Sequence, residues 1–151
     1  MVFWARDKRR STGEVWITPD KHKAWHSRIL EHQKSKRDSD PLFRLKGNVR
    51  SLMTWSLKTS GFKKNTKTEG VLGCSFKEFK KHLQSQFTKG MTWGNQGEWH
   101  VDHRIPVSAG KTEEEILKLN HHSNLQPMWK RDNIIKADSY CPIELKEYLE
   151  S

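Results

Sequence analysis

The segment from residue 99 to residue 138 constrains the fold most strongly, because turn and capping residues divide it into short elements. Pro106 ends a first extended piece, and Thr112 is placed to cap a short helix behind it. Residues 124–129 form a second extended piece, and the sequence predicts another helix directly after it. The order of strand, excursion, strand and helix predicts a small ββα unit within an α+β protein.

Two amphipathic helices are predicted upstream of that unit, and both supply apolar side chains for a core. Residues 41–59 carry an apolar stripe at helical spacing. The stripe consists of Leu42, Leu45, Val49, Leu52, Met53 and Leu57. Ser75, with a glutamate three residues later, forms a capping box that opens a helix over 76–88. Its buried face holds Phe76, Phe79, Leu83 and Phe87. Residues 60–70 between the two helices are predicted to form a loop.

The first 40 residues carry weaker signals. Residues 1–20 show no clear period and are predicted to be an irregular arm. Asp20 is placed to cap a helix over 20–33, and the polar residues 34–40 are predicted to be a linker. Near the other end, Pro142 opens a last short helix.

The surplus positive charge lies entirely in the first half of the chain. Residues 1–70 hold 17 Lys and Arg against 7 Asp and Glu, whereas residues 71–151 hold 11 of each. Such a one-sided distribution is typical of a protein that binds a polyanion. A merely solubilising tail is the alternative, but tryptophans among the basic residues argue against it, because disordered tails are poor in aromatics. These tryptophans are Trp4, Trp16, Trp25 and Trp55, and a buried anchor is favoured for each over a base-stacking platform.

Composition excludes several classes of protein. The chain of 151 residues is too short for an eight-stranded α/β barrel, which needs roughly 250. It contains no apolar run long enough to span a membrane and no secretory leader pattern. Its 2 cysteines make no disulfide framework. We therefore expect a soluble protein of the cytoplasm, or of the host-cell cytoplasm if a phage encodes it.

Three sequence blocks carry the chemistry, and together they are far more specific than any one alone. They read WHVDHRIP at 99–106, HHSNLQP at 121–127 and DNIIK at 132–136. This pattern resembles the HNH endonuclease family, in particular its small phage and mobile-element members, over about residues 40–138. The resemblance implies a ββα-metal core over 71–151 and a basic, mainly helical DNA-gripping region over 1–70. It also implies metal-dependent hydrolysis of DNA phosphodiester bonds, by nicking or by double-strand cutting.

The resemblance further implies a role for each residue of the site. His103 is the general base, because a neutral imidazole can take a proton from water near neutral pH. Asn124 orients either the loop or His103 through hydrogen bonds, and Asp102 and Asn133 bind one divalent cation. Such an oxygen-rich set favours Mg²⁺, with Mn²⁺ as an alternative, over Zn²⁺. His100 and His121 are candidates for a further ligand or for a residue that supports the ligands.

Neighbouring residues on a flat strand point to opposite faces, so Asp102 and His103 can converge only near a strand end. The pairs of cysteines that hold a structural zinc in many HNH proteins are absent, with Trp129 and Asp132 in their places, and we predict no structural zinc. Trp99 and Trp129 are expected to pack in its stead.

Basic residues on the predicted helix and near the blocks are candidates for DNA contacts. They are Arg44, Lys46, Arg50, Lys58, Lys63, Lys64, Arg104 and Lys136. Two other functions stay open, a non-catalytic nucleic-acid-binding module with an HNH-like shape and a ribonuclease that uses the same site. A homodimer and a partner in a packaging complex also stay open. The sequence contains no dimer signal such as a heptad repeat.

Overall fold

A computed structural model describes residues 5–6, 16–62 and 66–151, with side chains for 18–62 and 66–151. The protein is α+β. Its strands are β1 (Ala5–Arg6), β2 (Trp16–Ile17), β3 (Trp99–His103) and β4 (Leu125–Trp129). Its α-helices are α1 (Pro19–Ser39), α2 (Pro41–Thr59), α3 (Thr68–Leu72), α4 (Phe76–Gln84), α5 (Glu113–Leu119), α6 (Lys130–Lys136) and α7 (Pro142–Glu150).

The chain divides into two compact units, Met1–Asp40 and Pro41–Ser151. This boundary differs in position from the division at residue 70, because α2 packs its apolar face within the second unit. The division at residue 70 separates a DNA-gripping region from a ββα-metal core by function, and it stays a prediction. None of the helices in the described segments combines the length and the apolar composition needed to cross a bilayer.

The first unit departs from the predicted arm and linker. Strands β1 and β2 pair antiparallel, with Ala5 opposite Ile17. Helix α1 is continuous through the predicted linker 34–40 and ends at Ser39. Residues 34–39 contain neither Gly nor Pro, and their Lys and Arg side chains are good helix formers. Its N-cap is Thr18, whose hydroxyl accepts a hydrogen bond from Lys21 N, so the prediction of Asp20 as the cap is wrong by two residues. None of the α1 side chains is buried.

The core of the second unit forms where α2 and α4 meet the hairpin. Leu45, Val49 and Met53 of the predicted α2 stripe are fully buried, and they pack with Phe79 of α4 and Leu125 of β4. The predicted bounds of α2 are confirmed. The predicted loop 60–70 contains the start of α3, a single short helix that Gly73 ends in the left-handed conformation at φ 75°.

Helix α4 begins with the predicted capping box at Ser75 and ends at Gln84, four residues earlier than predicted. Phe87 nevertheless remains inside the fold. Its ring lies 5.0 Å from that of Trp99 and 5.1 Å from that of Trp93, measured between centroids. Trp99 is 1% exposed and lies opposite Trp129 in the register of the hairpin. Its ring contacts are with Phe87 and Trp93.

Strands β3 and β4 form an antiparallel hairpin in which Trp99 faces Trp129 and His103 faces Leu125. The excursion between them contains α5, which starts with a second capping box at Thr112. Helix α6 follows β4 without a connecting loop. The strand, excursion, strand and helix therefore occur in the predicted order, and α6 lies against the hairpin.

Candidate active site

A cleft of about 640 Å³ collects four of the predicted residues. Asp102 and His103 come from the end of β3, and Asn133 and Lys136 come from one face of α6. Helix α2 and the loop after β3 complete the walls. The hairpin and the helix that follows it thus bring two distant sequence blocks to one place.

His103 is held from behind by Asn120, a residue that the sequence did not single out. His103 Nε2 lies 3.1 Å from Asn120 Oδ1. The other end of the Asn120 amide donates to Ile116 O at 2.8 Å, and the Ser56 hydroxyl donates to Asn120 Oδ1 at 2.9 Å. Because Asn120 presents an acceptor, this network assigns the proton to His103 Nε2. Nδ1 is then the nitrogen that can accept a proton.

Burial determines the protonation of His103. Its side chain is 9% exposed, and the loss of solvent lowers the pKa of the imidazole below its usual value. The hydrogen bond with Asn120 and the charge of Asp102 oppose this shift, whereas Lys136 adds to it. The net direction keeps His103 neutral at neutral pH, which is the state that a general base requires.

The Asp102 carboxylate is fixed by two neighbours. Gln126, opposite it in the hairpin, donates to Asp102 Oδ2 at 3.0 Å. Lys136 Nζ lies 3.2 Å from the same oxygen and also donates to the His103 carbonyl at 2.7 Å. Lys136 therefore links the helix to both residues at the strand end. Asp102 and His103 share the cleft because β3 stops at His103, as the geometry of a strand requires.

The side chains of Asn133 on α6 and His100 on β3 are neighbours. Asn133 Nδ2 lies 3.5 Å from His100 Nδ1, at the outer limit of a hydrogen bond. His100 shares a strand face with Asp102 because the two are two positions apart. His100 is exposed to solvent, whereas Asn133 lines the cleft.

Asn124 holds the backbone and does not contact His103. It is 1% exposed, and its amide donates to Ile105 O at 2.9 Å and to Leu119 O at 2.7 Å. Its Oδ1 accepts from Ile105 N at 3.0 Å. These bonds join the end of α5 to the chain just after β3, so of the two predicted contacts for Asn124 the loop is the one observed.

His121 lies away from the cleft. Its Nδ1 is 2.9 Å from Ser123 Oγ, and its ring lies 4.2 Å from that of His122. The ring also packs so close to Gly73 that a β-carbon there would overlap it. Burial and the neighbouring charges of His122, His82 and Lys118 lower the pKa of His121. His121 therefore packs against Gly73 at the end of α3 and does not lie in the cleft with Asp102.

Most of the predicted DNA-contacting residues lie outside the cleft. Arg44 donates to Gln96 O at 3.3 Å, and Lys46 and Arg50 lie over the ring of Phe76, each 5.6 Å from its centroid. Lys58 is exposed on α2. Arg104 is also exposed and donates to Gln86. Lys63 and Lys64 lie outside the described residues.

The tryptophans of the basic half do not behave as buried anchors where the structure describes them. Trp25 is 39% exposed on α1, which has no buried side chain. Trp55 is 65% exposed on α2 and lines the cleft. The prediction of a buried role is therefore wrong for both. The side chains of Trp4 and Trp16 lie outside the described residues.

The residues of the cleft fit a hard divalent cation. Asp102 supplies carboxylate oxygens and Asn133 an amide oxygen, which are ligand types that Mg²⁺ prefers. A cation there would share Asp102 with Lys136 or displace it. In the described part of the chain, no group of three or more His, Cys, Asp and Glu side chains is arranged to hold a metal ion. Water and a substrate phosphate would therefore have to complete the coordination.

Ser56, Asn120 and Gln126 are the site residues that sequence reasoning missed. Ser56 and Asn120 lie outside the three blocks, and Gln126 lies within the second block without a role assigned to it. Each acts only through a tertiary contact. One signal was present for Ser56. It interrupts the apolar stripe of α2 at a position that the helical period assigns to the buried face, and it is 2% exposed.

The fold and the cleft define an α+β protein with an imidazole–amide pair beside a carboxylate–ammonium pair. Two similar curated proteins are both uncharacterized proteins of Acanthamoeba polyphaga mimivirus. One is 32% identical over 135 residues, which cover 84% of this chain and 59% of the relative. The other is 34% identical over 127 residues, which cover 80% of this chain and 54% of the relative. The chain thus spans little more than half the length of these relatives.

No family model matches the chain, and no solved structure matches it. The relatives are viral, and their printed names assign them no activity. The resemblance to HNH endonucleases and the expected phage origin therefore stay predictions. What the chain does has to be argued from its own cleft.

Proposed function

We propose that this protein is a metal-dependent DNA endonuclease of the HNH type. The observation that carries the proposal is the bond between His103 Nε2 and Asn120 Oδ1, which leaves Nδ1 as the accepting nitrogen in a cleft that also holds Asp102 and Asn133. A buried, oriented and neutral imidazole beside an oxygen donor set is the arrangement that phosphodiester hydrolysis needs.

The residues of the chain divide the chemistry among them. His103 takes a proton from the attacking water at Nδ1, and Asn120 holds the ring by its other nitrogen and stabilises the imidazolium that forms. Asp102 and Asn133 would hold the divalent cation, which when bound neutralises charge on the phosphate and on the leaving oxygen. Lys136 lies within reach of both Asp102 and the end of β3, where its ammonium can contact a phosphate.

A plasmid-nicking assay tests the proposal. Supercoiled DNA is incubated with the protein in Mg²⁺, in Mn²⁺ and in EDTA, and a labelled RNA is treated in parallel. We expect nicking of DNA in both metals and none in EDTA, with a loss of at least a hundredfold in His103→Gln and in Asp102→Asn. His32→Ala is the matched control, because His32 is exposed on α1.

Three results would contradict the proposal. Nicking by His103→Gln at the wild-type rate would remove the assigned base. Nicking in EDTA would remove the cation. Cleavage of the RNA in preference to the DNA would make the ribonuclease alternative the better one.

The non-catalytic module is the second candidate, and one contact favours it. Lys136 Nζ lies 3.2 Å from Asp102 Oδ2, so an ammonium already neutralises the carboxylate that a catalytic cation would need. If this ion pair persists on DNA, the protein binds without cutting. Retained DNA binding with no nicking in any metal is the outcome expected of this candidate.

A further inference from the structure

Trp55 is the most exposed tryptophan among the described side chains, and it lies in the cleft. Of the described residues, none makes a hydrogen bond to its indole N–H. The cleft around it has further apolar walls, formed by Leu52, Phe62, Val101, Pro106, Val107 and Ile116. An indole left 65% exposed beside apolar walls offers a flat, unoccupied aromatic surface.

The backbone holds Trp55 rigidly relative to His103. Its neighbours on α2, Ser56 and Leu57, are 2% and 1% exposed, so the helix cannot turn without leaving the core. Ser56 donates to Asn120, which in turn bonds His103. One buried network therefore connects the helix turn that carries the indole with the imidazole of the cleft.

We propose that the cleft binds an unpaired nucleobase of the DNA strand, stacked on the indole of Trp55. This inference rests on the proposed function and names its preferred substrate class. Every nucleobase has a π-face, so stacking on an aromatic side chain tolerates any sequence. A base inside a duplex has both faces covered by its neighbours and must leave the stack to reach the indole.

Lys111 supplies a charge for the same occupant. The ammonium groups of Lys111 and Lys136 and the carboxylates of Asp102 and Asp138 line the cleft. Lys136 pairs with Asp102, so Lys111 is the ammonium that we assign to the phosphate next to the stacked base. DNA with a bulge, a flap or a single-stranded segment offers an unpaired base at no unstacking cost. We therefore expect such DNA to bind more tightly than a perfect duplex of the same sequence.

The test measures binding of the full chain in EDTA, so that no strand is cut. A fluorescent duplex is compared with the same duplex that carries one bulged nucleotide. We expect the wild type to bind the bulged DNA about tenfold more tightly, Trp55→Ala to lose this difference, and Trp55→Phe to keep most of it. Tyr140→Ala is the matched control, because Tyr140 is 41% exposed and does not line the cleft.

Two results with Trp55→Ala overturn the inference, and so does a lack of preference in the wild type. In the first, Trp55→Ala weakens both DNAs equally or leaves the tenfold difference intact. In the second, light scattering shows that Trp55→Ala breaks up a dimer without changing the preference, so that the indole is a contact for a second copy of the chain. If the wild type binds and nicks DNA without preference, only this inference fails. If it binds no DNA of either kind, the proposed function fails with it.

Discussion

Asn120 decides which nitrogen of His103 is available to take a proton. Its amide is anchored on the Ile116 carbonyl, so the oxygen must face His103, and the proton stays on Nε2. A glutamine or a leucine in this place would leave the imidazole free to adopt the other tautomer. The position of one amide thus leaves Nδ1 as the nitrogen of this buried histidine that can accept a proton.

A pH profile of nicking tests the state of His103. In the proposed mechanism the neutral imidazole is the active form, and burial lowers its pKa. We therefore expect the rate to hold as pH falls to about 6.5, the ordinary histidine value, and to decline only below it. The same shift acts on folding. Because the unfolded chain takes up this proton more readily, the titration of His103 lowers the free energy of unfolding below about pH 6.5. Above that pH it costs no stability.

Circular dichroism at each pH separates titration from unfolding. An acid limb that begins above pH 6.5 in a folded protein would mean that His103 is more accessible, or more strongly paired with Asp102, than its burial implies. Nicking that does not change between pH 7 and pH 4 would exclude an imidazole as the base.

Sequence reasoning placed His103, Asp102 and Asn133 near one another but did not identify what holds them. These three residues line one cleft. Their placement could be predicted because the sequence blocks that contain them also contain the local signals for the strand and the helix. The sequence blocks pointed to Asn124 and passed over Asn120. Only the folded chain distinguishes them, since one bonds an imidazole and the other bonds backbone atoms.

At the scale of single elements, capping determines how well the site is built. Helix α5 starts at Thr112, whose hydroxyl accepts from Glu115 N while the Glu115 carboxylate accepts from Thr112 N, both at 3.2 Å. The far end of this short helix positions Asn120, and Asn124 bonds the Leu119 carbonyl there. A defect at the first turn of α5 therefore reaches the residue that orients His103.

Thr112→Ala tests this dependence. Loss of the cap should lower the free energy of unfolding by about 1 kcal/mol, because amide groups of the first turn lose their partner. Urea denaturation measures the change. Thr54→Ala is the control, since Thr54 is exposed inside α2 and alanine is the better helix former there. An equal loss in both variants, or none in Thr112→Ala, would show that α5 does not depend on its cap.

The elements that the sequence predicted well share one property. Helix α2 has a periodic apolar face, and α4 and α5 have capping boxes, so their signals are local. The end of helix α1 was predicted six residues too early, because its last two turns are polar and carry no period at all. The early end of α4 has a tertiary cause, since Phe87 leaves the helix to join Trp93 and Trp99.

At the scale of the whole molecule, the candidate site and the larger net positive charge belong to the same unit. All cleft residues lie within Pro41–Ser151. Residues 41–70 hold 7 Lys and Arg against 1 acidic residue, whereas residues 1–40 hold 10 against 6. The second unit therefore contains both the residues of the proposed chemistry and most of the net positive charge of the chain.

A chain truncated to residues 41–151 tests this division. On duplex DNA, the logarithm of the binding constant falls with that of the salt concentration by about 0.9 for each neutralised phosphate. We expect the truncated chain to nick DNA at close to the wild-type rate at saturating DNA and to keep most of the wild-type salt slope. Fluorescence anisotropy over a range of salt concentrations measures that slope. Circular dichroism checks that the truncated chain is folded. If a folded truncated chain shows a slope near zero, the DNA-binding charges lie instead in residues 1–40. In that case Arg50→Gln with Lys58→Gln would leave the slope of the full chain unchanged.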